Sequence, residues 1–209
     1  MLAVATFVGW NLVESSGTDI VKFPSWLGMT FPIALVLLGV AYMKPNLAKI
    51  IGPIYAIVQG VVVGAMSHLY EVRFDGIVLQ AAMLTIAVFA AMLFLYSTRI
   101  IKVTAKLQKG IIAATMAIMA VYIIGFVGRL VSSSFEIPYL HDSGPIGIVI
   151  SLVIVGVAAF NYLLDFDFIE RSVKGGAPKN AEWVAAFGLL VTTVWLYMEM
   201  LRLLSKLRD

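Results

Sequence analysis

Three acids fall within six positions, Asp165, Asp167 and Glu170, directly after 22 residues without a charge, Ser143–Leu164. Carboxylates at the mouth of an apolar helix either end it in water or offer protons and hard cations an oxygen site. The helical turn of about 100° per residue separates the cases. Tracing back from Asp165 meets Tyr162, Ala158, Val155 and Ser151, with Asn161 one turn above it. Asp165 therefore extends a face that already carries polar groups and is the expected inward-facing acid. Asp167 and Glu170 share an apolar face and are expected to reach water. The alternative is that all three are a solvated helix end, with Arg171 and Lys174 offsetting the unfavourable macrodipole.

Other polar residues interrupt the apolar runs. Gln59 and Thr192 are candidates to line one cavity with Asn161 and Asp165; Gln80, Thr85, Thr115 and Thr193 also fall within uncharged segments. The plainer reading of each is a hydrogen bond between helices. Glu199 and Arg202 are spaced for an intrahelical pair and read as an interfacial clasp. His68 and His141 are read as interfacial and loop side chains. The chain has no cysteine, which excludes disulfides and thiolate chemistry, and its two histidines are too scattered for a metal cluster. No phosphate-binding loop, nucleotide fingerprint, zinc-protease motif or hydrolase elbow is present. The expected protein is not an enzyme, carries no cofactor and binds no nucleic acid.

The elements that hold these residues must be membrane helices. With 61% hydrophobic and 13% charged residues, the chain lacks the polar surface of a soluble globule. Uncharged runs occupy Met1–Val13, Phe23–Met43, Ile50–Tyr70, Gly76–Thr98, Gly110–Gly128, Ser143–Leu164 and Trp183–Met198. A span needs about 20 residues, which five runs supply. The last suffices once Glu199 and Arg202 sit at the interface. The first, with Trp10 near its end, is expected to be the second half of a helix that starts before Met1. The expectation is an all-α polytopic protein: seven transmembrane helices in one integral membrane domain, 1–209.

Orientation follows from the basic residues. Loops after the second, fourth and sixth segments hold Lys44, Lys49, Arg99, Lys102, Lys106, Lys109, Arg171, Lys174 and Lys179. The other side holds Lys22, Arg73, Arg129, Arg202, Lys206 and Arg208. The Asp165 end is thereby expected in the cytoplasm. Gly60 and Gly64 form a small-xxx-small pair for close helix packing. Pro32 should kink the second helix, and Gly175-Gly176-Ala177-Pro178 marks the last turn. Trp183, Trp195 and Tyr197 are read as membrane anchors.

Several stretches together resemble a bacterial branch of the Bax-inhibitor (transmembrane Bax-inhibitor-motif) family. They are Leu164-Asp165-Phe166-Asp167-Phe168-Ile169-Glu170, Gly176-Ala177-Pro178-Lys179, Glu182-Trp183, Ala186-Phe187-Gly188-Leu189-Leu190-Val191 and Trp195-Leu196-Tyr197. Gly76-Ile77-Val78-Leu79-Gln80-Ala81, Ile100-Ile101-Lys102-Val103-Thr104 and Ser143-Gly144-Pro145-Ile146-Gly147 are similar to the same branch. The resemblance implies a seven-helix bundle with the last helix central, in a bacterial inner membrane. It also implies a pH-sensitive calcium leak in which an aspartate ending the sixth helix pairs with one in the seventh. Asp165 matches the first aspartate and is the one candidate metal ligand, for calcium or a proton. The second falls at or near Thr192, which cannot ionise, and Gln59-Gly60 stands where relatives carry Glu-Gly. Asp167 or Glu182 would then supply the second carboxylate. The alternative is a non-conducting accessory subunit, bound in the bilayer to other integral membrane proteins or to a membrane protease, as some family members are.

Overall fold

The computed structural model describes residues 1–14, 25–132, 137 and 142–209; Lys22 and His141 lie outside the described residues. Among the described residues, seven α-helices follow in order: α1 (Leu2–Glu14), α2 (Ser25–Met43), α3 (Ala48–Arg73), α4 (Ile77–Ser97), α5 (Ala105–Val131), α6 (Pro145–Lys174) and α7 (Ala181–Arg208). One 3-10 turn, Pro45–Leu47, joins α2 to α3. No strand occurs among the described residues. Helices α3 to α7 are each long and apolar enough to cross a membrane, while α1 and α2 contribute shorter apolar stretches. The protein is a multi-pass membrane protein. Helix is the only open secondary structure that satisfies every backbone group in lipid.

The helices outrun the uncharged segments. α6 continues ten residues beyond Leu164 to Lys174, and α7 ten beyond Met198 to Arg208. Thirty residues of α6 rise about 45 Å, enough for the hydrocarbon and both headgroup layers. Charges end the apolar run and not the helix, because backbone hydrogen bonding is indifferent to side-chain charge.

Local chemistry sets several ends. The Thr104 hydroxyl accepts from Leu107 N–H at 3.2 Å and caps α5. α6 ends in a Schellman turn: Ala177 N–H donates to Ser172 C=O, Gly176 N–H to Val173 C=O, and Gly176 has φ +63°. Glu71, at the end of α3, accepts from Gly76 N–H at 2.7 Å and from Val78 N–H at 3.0 Å, so a carboxylate closes the N-terminus of α4. Glu71→Ala is expected to cost about 1–2 kcal/mol, measured as unfolding of the detergent-solubilised protein. Unchanged stability would mean that water replaces the cap.

Two compact units divide the chain: Met1–Gln80 with Phe168–Val194, and Ala81–Asp167 with Trp195–Asp209. In the first, Ala34, Ala41, Ile51, Tyr55 and Phe187 form a core, Tyr55 and Phe187 meeting edge to face at 5.0 Å. α1 also lies against α3 there, Val13 packing on Ala65 and Leu69. In the second, Phe89 and Tyr96 pack on Tyr162 and Phe166, with Phe89–Tyr162 centroids 5.2 Å apart.

Candidate functional site

The buried face of α6 comprises Ser151, Val155, Ala158 and Tyr162, the residues that helical spacing places behind Asp165. Asp165 sits at the end of this face, half-buried. Asp167 and Glu170 are also half-buried, so neither reaches fully into water as the sequence suggests. All three have polar or electrostatic partners. For Glu170 one partner is Lys174, a turn later on the same helix.

The remaining candidates divide between the units. Asn161 and Asp167 belong with Asp165 in the second unit; Gln59, Glu182 and Thr192 belong to the first. Asn161 donates to Thr115 Oγ1 at 2.9 Å and to Val157 C=O at 2.8 Å, which ties α6 to α5. Gln59 donates to the Tyr55 hydroxyl at 3.3 Å, one turn back on its own helix. Thr192 is buried on α7. Glu182 is exposed in the first turn of α7, where a carboxylate complements the helix dipole. Among the described residues, no three His, Asp or Glu side chains group as a metal site.

Gly60 and Gly64 do bring helices together, and a residue unread in the sequence, Gly9, completes the contact. A Cβ on Gly60 would meet Ala5 Cβ at 2.6 Å, one on Gly64 would meet Thr6 O at 1.9 Å, and one on Gly9 would meet Val61 O at 2.1 Å. Nearby, His68 packs edge-on against Trp10 with centroids 4.8 Å apart, and its Nδ1 is buried with no hydrogen-bond partner among the described residues.

A second polar centre lies deeper than the sequence suggests. The Glu199 side chain is only 2% exposed and pairs with Arg202, which is 27% exposed, at 3.0 Å. Tyr122 of α5 completes the pair: its hydroxyl donates to Glu199 Oε1 at 2.6 Å and accepts from Arg202 Nη1 at 2.7 Å. Arg202 also lies 5.4 Å from the Tyr122 ring centroid. One turn on, Lys206 is buried and donates to Gly147 C=O, in the first turn of α6, at 3.0 Å. The expected interfacial clasp is thus a part-buried three-residue network around the enclosed Glu199, joining α5 to α7. The spacing of Glu199 and Arg202 is visible in the sequence. Tyr122 carries no local signal beyond being a phenol in an apolar run.

Chemically, the α6 terminus offers three half-buried carboxylates, of which Asp165 ends the buried face, and such groups can exchange protons or attract cations. The Tyr122 network offers a charge-balanced fastening. A family model described as Bax inhibitor 1 like matches residues 1–209. No curated protein and no solved structure matches the chain.

Proposed function

Because the chain belongs to the Bax inhibitor 1 like family, we propose that it is a pH-modulated cation leak of a bacterial inner membrane, with calcium as cargo and Asp165 as the gating carboxylate. The observation that carries this reading is the place of Asp165, half-buried and partnered at the end of the buried face of α6. Ionisable groups within spans are costly, about 2.5–3.5 kcal/mol at the centre on insertion scales, and tend to be functional. A proton and a cation compete for such a carboxylate, so acidification changes the passage of the cation. Calcium prefers six to eight oxygens, more than one carboxylate supplies, so the ion is treated as passing cargo and not as a resident. Asp167 contributes its field from two residues away.

The proposal takes the chain as one non-enzymatic membrane domain with α7 central, its buried residues running from Phe187 to Lys206. Its orientation, with the Asp165 end in the cytoplasm, is supported by the distribution of Lys and Arg. In proteoliposomes, calcium flux is expected to vary several-fold between mildly acidic and mildly basic pH. In Asp165→Asn, which fixes the side chain neutral, that dependence is expected to vanish. A variant with the parent pH profile would overturn the proposal.

A second reading, a non-conducting subunit of a larger membrane assembly, is favoured by Gln59, whose amide serves its own helix. Co-purification in gentle detergent with a stoichiometric membrane partner, and no calcium flux, is its expected signature.

A further inference from the structure

Between α5 and α6, within the second unit, runs a groove of about 550 Å³. Leu107, Gly110, Ile111 and Ala114 of α5 line one wall, and Val157 and Phe160 of α6 the other. Gly110 and Ala114 lie one turn apart on the same face, and their small size keeps the wall shallow. A Cβ on Gly110 would meet no atom within 4 Å. Lys106, in the first turn of α5, is the one charged side chain among the described residues lining the groove. It is exposed and has no side-chain partner among the described residues, as do Lys102 and Lys109 beside it.

We propose that this groove binds one anionic phospholipid, with an acyl chain along the apolar wall and the phosphate at Lys106. The chemistry of the guest follows from the two ends of the groove. A plain hydrocarbon would leave the cationic mouth unused, and a small soluble anion would leave the apolar wall wet. An anionic lipid uses both. The depth also fits: the uncharged run starts at Gly110, four residues after Lys106, or about 6 Å along the axis. Lys106 therefore stands at headgroup level while Ala114 and Phe160 stand among acyl chains. Exposed Ile112 and Met116 on α5 and Val153 on α6 make the flanks of the groove lipid-facing. Basic pockets between spans are a known way of recognising acidic headgroups.

The guest lies beside the Asn161–Thr115 hydrogen bond, since Phe160 adjoins Asn161 on α6 and Ala114 adjoins Thr115 on α5. Asp165 is one turn further along. The site stands whether or not the protein conducts.

The test uses the full chain in mild detergent and native mass spectrometry, with phosphatidylglycerol or phosphatidylcholine of matched chains. One phosphatidylglycerol should be retained, about fivefold more tightly than phosphatidylcholine, the scale set by one lysine at a headgroup. Lys106→Gln should reduce that preference to near unity and Lys106→Arg should keep it. Ala114→Phe, which fills the wall, should lower retention of both lipids, and Lys49→Gln, on another helix, should change nothing. Circular dichroism confirms that each variant is folded. Equal retention of the two lipids, an unchanged preference in Lys106→Gln, or displacement by inorganic phosphate alone would overturn the assignment. So would a dimer that excludes lipid, which would give the groove to a second copy of the chain.

Discussion

Arg202→Met is expected to cost about 3–5 kcal/mol of stability, the usual result of removing one partner of a buried ion pair. Glu199 is almost fully enclosed, and Arg202 gives it hydrogen bonds to both carboxylate oxygens at 3.0 Å. Without the guanidinium, the carboxylate keeps the Tyr122 hydroxyl as a close donor and the more distant field of Lys206. An uncompensated charge in that setting is far costlier than the pair it came from. Lys206 in turn interacts electrostatically with Arg202, Glu199 and Asp142.

Two comparisons identify the cause. Tyr122→Phe should cost less, about 1–3 kcal/mol, because it removes hydrogen bonds and leaves the charges balanced. The double variant Glu199→Gln with Arg202→Met should regain most of the loss, giving a coupling energy well above that of independent sites. Thermal unfolding in detergent, followed by helicity, measures both. If Arg202→Met is as stable as the parent, the network is a surface clasp after all.

That network marks the limit of what the chain discloses by itself. Among the described residues the uncharged runs do fall on helices, five of them long and apolar enough to cross a membrane, because lipid leaves a spanning backbone no open alternative. Their ends are not legible, since α3 runs on to Arg73 and α7 to Arg208 through charges that halt only the apolar count. The face behind Asp165 is legible because 3.6-residue periodicity is local. Ser151, Val155, Ala158 and Tyr162 are buried as that spacing requires. Glu199 and Arg202 are legible as a pair by spacing, yet their depth depends on a phenol 77 positions earlier than Glu199. No local pattern encodes that meeting. The same holds for Asn161, whose Thr115 partner lies 46 positions away. Gly60 and Gly64 announce a close contact but not its partner, because the small residue opposite, Gly9, sits in a different helix.

That contact is where a single methyl group should do unusual damage. In an ordinary helix Gly→Ala is stabilising by up to about 1 kcal/mol, and Gly156→Ala, whose Cβ would meet nothing within 4 Å, should follow that rule. Gly64→Ala should reverse the sign. Its Cβ would lie 1.9 Å from Thr6 O and 2.8 Å from Trp10 N, both backbone atoms of α1. A flexible side chain could swing aside, but a helical carbonyl cannot move without its helix. α1 and α3 must then separate, losing the packing of Val13 on Ala65 and Leu69. Overpacking of about 1–3 kcal/mol is the expected scale, with larger side chains at Gly64 worse still. The local reporter is Trp10, which packs on His68 at 4.8 Å. With Trp26, Trp183 and Trp195 replaced by Phe, Gly64→Ala should shift the emission of Trp10 as the stability falls, while Gly156→Ala should leave it unchanged. A Gly64→Ala protein with parental stability and parental Trp10 emission would mean that α1 and α3 do not meet backbone to backbone.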